Sequence, residues 1–136
     1  DGWRVTAAQR LDVNLLCRLA SRLKLRLVGI VPDASALSAF LPWQPDDVQG
    51  LAWRDEASWL WATADSWGCC PCSDAPSFPD LVSRVNGGTF RLCASASPDG
   101  RNFDAWSAIH RLQPPLPARG DSFTVALGLA LGARQS

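Results

Sequence analysis

The sequence predicts an α/β fold: a mixed sheet carrying a β-hairpin, with helices flanking it. Three observations point there. Residues 5–31 read as strand, helix, strand; two tryptophan-bearing runs at 51–54 and 58–63 flank a polar Asp55-Glu56; and the chain closes on an apolar helix from Phe123 to Gly132. Strand–helix–strand order favours parallel pairing through a crossover, while a hairpin adds antiparallel pairing. With 136 residues the chain fits a single domain spanning 1–136, able to bury roughly two thirds of its unfolded surface.

Each element has its own grounds. Val5-Thr6-Ala7-Ala8 is short and extended in character. Leu16, Leu19, Ala20 and Leu23 recur at helical spacing, widened by Val13 and Cys17, with Arg10, Asp12, Asn14, Arg18, Arg22 and Lys24 on other faces. Residues 25–31, LRLVGIV, are apolar and β-branched, the composition of a strand covered on both faces. Pro32 ends that run. Asp33 or Ser35 can cap a short helix carrying Leu37, Phe40 and Leu41, which Pro42 should stop. In the hairpin, alternation sets Trp59 and Trp61 on one face and Leu60 and Ala62 on the other. Residues 69–79 read as a Pro/Ser-rich link, 80–85 as a short helix, Asn86-Gly87-Gly88 as a turn and 89–94 as a further strand. Pro98-Asp99-Gly100 is another turn, Phe103 and Trp106 fall in a short segment, and 113–117 must be extended. Asp121 or Ser122 can cap the last helix. That helix is apolar almost all round, so it should be buried on most sides, and Gly128 and Gly132 allow another backbone to approach it.

Composition excludes several function classes. Thirteen basic residues balance thirteen acidic ones, and direct nucleic-acid binding normally rests on a basic excess. The small cluster Arg18, Arg22, Lys24 and Arg26 reads as a solvated helix face and strand end. No apolar run reaches the ~18–20 residues of a membrane span, so membrane insertion is not expected. The opening Asp1-Gly2-Trp3, running straight into a strand-like segment, reads as a piece of a longer protein, and no signal peptide is visible.

The cysteines ask for chemistry and do not supply its spacing. Cys69, Cys70 and Cys72 sit within SWGCCPCS. A structural zinc site takes four ligands, commonly as two separated pairs. C-C-x-C is not that pattern, Cys17 and Cys93 stand alone, and His110 is the only histidine. Cys69 and Cys72 have C-x-x-C spacing but do not open a helix. The reading is free thiols, with a metal or redox module on Cys69, Cys70 and Cys72 as the alternative. His110 has no nucleophile beside it, and Asn86-Gly87-Gly88 lacks the longer phosphate-binding pattern.

A resemblance adds what local chemistry does not. It rests on Val5-Thr6-Ala7-Ala8-Gln9, Pro32-Asp33-Ala34-Ser35-Ala36-Leu37, Phe40-Leu41-Pro42, Leu51-Ala52-Trp53-Arg54-Asp55, Trp59-Leu60-Trp61-Ala62-Thr63 and Ser66-Trp67-Gly68. Gln113-Pro114-Pro115-Leu116-Pro117 and 126–132 complete it. Their order resembles the C-terminal half of HofM-type DNA-utilization proteins, relatives of the PilM type IV pilus assembly proteins. The resemblance implies a partial actin-like fold, related to that of FtsA. It implies a cytoplasmic location, peripheral at the inner membrane, and binding to the tail of a PilN-like membrane protein. It also implies a nucleotide site built from a glycine turn in the hairpin and a Gly-Gly turn after a strand. Here the positions are Arg54, Asp55 and Glu56 in the first turn, and Cys93, Ala94 and Ser95 in the second. Neither holds a glycine, which backbone amides need to approach phosphates closely. The site therefore reads as degenerate and the protein as a non-enzymatic scaffold without a cofactor. An ATP-binding actin-like ATPase is the alternative. Self-association through the C-terminal helix is a second partner expectation.

Overall fold

The computed structural model describes residues 5–85, 88–112 and 115–132. The chain divides into two compact units, Asp1–Pro32 and Asp33–Ser136.

The first unit is built around α1, Arg10–Arg22. Its end is a Schellman-type closure: the Leu25 amide donates to the Ala20 carbonyl at 2.8 Å and the Lys24 amide to Ser21 at 3.0 Å. Lys24 takes the left-handed conformation, φ 56°, that this motif usually assigns to glycine. No residue of α1 is buried. The strands expected at 5–8 and 25–31 are absent: both segments lack regular structure. A strand exists only through hydrogen bonds to a neighbour. Residues 26–31 have no such bond among the described residues, and their apolar side chains stay in water.

The second unit carries a five-stranded mixed sheet in the order β3-β2-β1-β4-β5. The strands are β1 Gly50–Arg54, β2 Ser58–Thr63, β3 Trp67–Pro71, β4 Phe90–Cys93 and β5 Asn102–Phe103. The expected hairpin is β1–β2, with Trp53 opposite Leu60 and Arg54 opposite Trp59. β3 adds antiparallel to β2, whereas β4 runs parallel to β1, and β5 parallel to β4.

Side-chain alternation assigns the two faces as expected. Leu51, Leu60, Ala62, Cys93 and Phe103 point into one core with Leu37, Phe40, Ala105 and Ala108. Ala52, Trp59 and Cys70 point into the other with Ala75 and Leu81, and Trp61 packs against it. The first core is covered by the 3₁₀ helix Asp33–Trp43 and by α3, Thr124–Gly132. The second is covered by α2, Phe78–Arg84, whose capping box joins Ser77 and Asp80.

Local expectations need four corrections. The helix at Asp33 is a 3₁₀ helix, and it contains Pro42 instead of stopping there. Proline removes one donor, but the Gln44 amide still closes the last turn on the Leu41 carbonyl at 2.9 Å. Asp121 and Ser122 do not cap α3 with their side chains. They lie inside a 3₁₀ turn, Gly120–Phe123, that leads into it, and the Ser122 hydroxyl donates back to the Arg119 carbonyl. Residues 69–79 are not link from the start, because Cys69, Cys70 and Pro71 belong to β3. Finally, α3 is not buried on most sides: Thr124 and Gly128 are buried, while Ala126, Leu129 and Ala130 are exposed. One close contact is enough to seat a helix whose apolar residues surround it. The Asn86-Gly87 part of the expected turn and Gln113-Pro114 of the expected extended run lie outside the described residues.

Candidate functional site

Parallel pairing decides where the two candidate turns lie. Trp53 of β1 is in register with Cys93 of β4, and Cys93 with Phe103 of β5. Parallel strands end together, so Arg54-Asp55-Glu56, Cys93-Ala94-Ser95 and Asp104 all sit at one edge of the sheet. Ligands of open α/β sheets collect at this carboxyl edge. The family resemblance named the two turns as parts of one site, and the parallel register places them side by side.

Three of their backbone donors are already engaged. The Asp55 amide donates to the Ser58 carbonyl at 2.9 Å, and the Glu56 amide to its neighbour Asp55 Oδ1 at 2.8 Å. The Ala94 amide donates to the Phe103 carbonyl at 3.1 Å. A phosphate cradle needs free, convergent amides. These three would have to break existing bonds to serve one, and the Asp55 and Glu56 carboxylates stand at the same turn. The Arg54 guanidinium lies over the Trp59 ring, 5.3 Å from its centroid. Nucleotide phosphates are a poor fit to this donor set.

Tryptophans that could have been stacking platforms are tied to backbone instead. Trp53 Nε1 donates to the Asp121 carbonyl at 2.9 Å and Trp106 Nε1 to the Gly120 carbonyl at 2.8 Å. These consecutive carbonyls fix the turn that leads into α3. Trp59 Nε1 donates to the Ala75 carbonyl at 2.7 Å on the other face. Trp61 lies across β3 at Gly68, where a Cβ would come within 2.7 Å of the indole. Glycine in SWGCCPCS is there to admit that ring. Large aromatics in this sheet supply packing and hold loops.

The cysteines do not converge. Cys69 is exposed at the edge strand, Cys70 is buried beside Trp59, and Cys72 packs against that same second core. Alternation along β3 sends Cys69 and Cys70 to opposite faces. Among the described residues no group of three or more His, Cys, Asp or Glu side chains is placed to hold a metal. All five thiols are free. Cys93 is 2% exposed, and burial pushes its thiol up to about 12, against a partial pull from the Arg91 charge. A thiol held protonated and shielded in this way is neither nucleophile nor ligand at neutral pH. His110 is exposed.

Arg91 is the polar residue that sequence reasoning missed. Its guanidinium donates to the Gly100 and Asn102 carbonyls at 2.7 and 2.8 Å and to Gln44 Oε1 at 3.1 Å, and it lies over the Phe103 ring. No motif marks it; an arginine in a strand gives no local sign that three separate segments will meet it. It ties β4 to the 97–100 turn, β5 and the end of the 33–43 helix.

No family model matches the sequence. Over 132 residues the chain is 43% identical to the DNA utilization protein HofM of Escherichia coli strain K12. That match takes in 96% of this chain and 49% of that protein. The chain thus spans about half the length of the curated relative it matches. Identity at this level across nearly all of its residues makes the chain a HofM-type sequence.

Proposed function

We propose that the chain serves as a non-enzymatic scaffold in a DNA-utilization assembly of the type IV pilus kind. The observation that carries this reading is the match to HofM along almost the whole chain. In this reading the fold is part of an actin-like, PilM-related architecture, peripheral at the cytoplasmic side of the inner membrane. Its partner is the short cytoplasmic tail of a PilN-like membrane protein. Support comes from the mixed sheet with flanking helices. Among the described residues no helix is long and apolar enough to cross a membrane. The engaged amides at Asp55, Glu56 and Ala94 support a scaffold without nucleotide.

The test is a pull-down of full-length protein with the tail of the neighbouring PilN-like protein, beside a titration with ATP and Mg²⁺. Retention on the tail with no saturable nucleotide binding is the expected result. Absence of retention by the full-length protein would remove the partner assignment. A second reading, an actin-like ATPase, is favoured by one observation: three parallel strands end at the edge where both turns lie. Saturable ATP binding, strengthened by Glu56→Gln and abolished by bulk at Ala94, would establish that reading instead.

A further inference from the structure

Residues 5–31 display an unusual load of exposed apolar surface. Leu11, Leu15, Leu16, Leu19 and Leu23 of the helix region are 44–76% exposed, and Leu25, Leu27, Val28, Ile30 and Val31 are 44–84% exposed. Scattered surface leucines need no explanation, but a continuous set does. The 25–31 segment is the sharper case. In an extended chain Leu27 and Val31 fall on one face and Val28 and Ile30 on the other. Apolar residues on both faces belong to a strand inside a sheet, covered on both sides. Yet residues 26–31 have no backbone hydrogen bond among the described residues.

Three kinds of cover are open to such a surface, and chemistry separates them. A lipid surface would have to accept a run of unpaired backbone amides and carbonyls, which acyl chains cannot satisfy. It would also have to accept Asp12, which helical spacing places on the same face as Leu15, Leu16, Leu19 and Leu23. A second copy would bring like charges together: residues 5–32 hold Arg10, Arg18, Arg22, Lys24 and Arg26 against Asp12 alone. A different polypeptide with a free strand edge satisfies backbone, side chains and charge at once. The HofM match leaves about half of that relative with no counterpart here, which is enough protein to supply a sheet and its covering layer.

We propose that residues 5–32 are a docking element for polypeptide, and that its occupant is the segment equivalent to the part of HofM the match does not reach. Residues 25–31 join the occupant's sheet as a strand, and the leucine face of α1 covers that sheet. The inference goes beyond the scaffold reading and stands whether or not a PilN-like tail is bound.

The experiment replaces the matched part of E. coli HofM with this chain and compares hydrogen exchange in that full-length chimera and in the isolated chain. Amides 26–31 should exchange near the unprotected rate in the isolated chain and at least tenfold slower in the chimera. Ile30→Asp should leave the melting temperature of the isolated chain unchanged, because it disturbs no buried contact there, and should restore fast exchange in the chimera. Fast exchange at 26–31 in a chimera whose 50–71 amides remain protected overturns the proposal. Loss of protection at 50–71 in the chimera also counts against it, since the chain would then be incompatible with the half said to cover it. Slow exchange in the isolated chain that disappears on dilution would assign the surface to a second copy.

Discussion

Single residues at the core of the sheet carry opposite roles for polarity. Cys93 is kept neutral by burial. An unfolded thiol ionises near its ordinary value of 9, whereas the folded one holds its proton to about 12. Between those values the unfolded chain binds fewer protons, so stability falls as pH rises, by roughly 1 kcal/mol per pH unit. Below pH 9 the contribution is fully present. Chemical denaturation at pH 8 to 11 checks this, and Cys93→Val should remove that part of the slope. Alkylation of the native protein should follow exposure: Cys17 and Cys69 react first, while Cys70 and Cys93 wait for unfolding. Arg91 does the reverse and brings a charge in to collect carbonyls. Its charged hydrogen bonds are partly shielded, and Arg91→Leu should cost about 2 kcal/mol in urea unfolding, lost mainly from the 97–103 region. Lysine at this position cannot reproduce the fork, so it should rescue little.

Among the elements, α3 shows how one residue can seat a helix. A Cβ at Gly128 would meet the Ala36 carbonyl oxygen at 2.3 Å and the Phe40 ring at 3.1 Å, whereas at Gly132 the nearest neighbour is Ala39 Cβ at 3.9 Å. Alanine is the better helix former by about 1 kcal/mol. Gly132→Ala should therefore be neutral or stabilising, and Gly128→Ala destabilising by about 2 kcal/mol through overpacking. Equal effects in thermal melts would refute this account of the close approach. The glycine spacing was legible in the sequence, and so was the β1–β2 hairpin, because alternation there is unbroken around a polar turn. β3 was not legible: Gly68, Pro71 and two cysteines dilute its strand character, and its strand status comes from β2. The missing strand at 25–31 fails for the complementary reason. Its sequence states what it requires, a neighbour on each side, and composition cannot state that the neighbour is present. The candidate turns were joined in one site by the family resemblance alone, since their adjacency depends on the long connection from β1 through β2, β3 and α2 to β4, which leaves no local trace.

At the scale of the whole molecule, stability is unevenly distributed between the two units. All the buried apolar residues named in the two cores lie beyond Pro32. A thirteen-residue helix without a buried side chain is marginal in water, since helix nucleation is costly and tertiary packing normally supplies the stability. Opening within α1 should then occur at free energies well below those of the sheet. Trypsin reports this directly, because Arg10, Arg18, Arg22, Lys24 and Arg26 all fall in that stretch. At limiting protease the first cuts should fall between Arg10 and Arg26, leaving a longer-lived remainder that contains residues 33–132. Arg54 offers a rival site at an exposed turn. Cleavage there requires the hairpin to open, and Trp59 beneath the Arg54 side chain and the Asp55–Ser58 bond both oppose that. Initial cleavage after Arg54, with the 10–26 sites intact, would mean that the leucine face of α1 is already covered in the isolated chain.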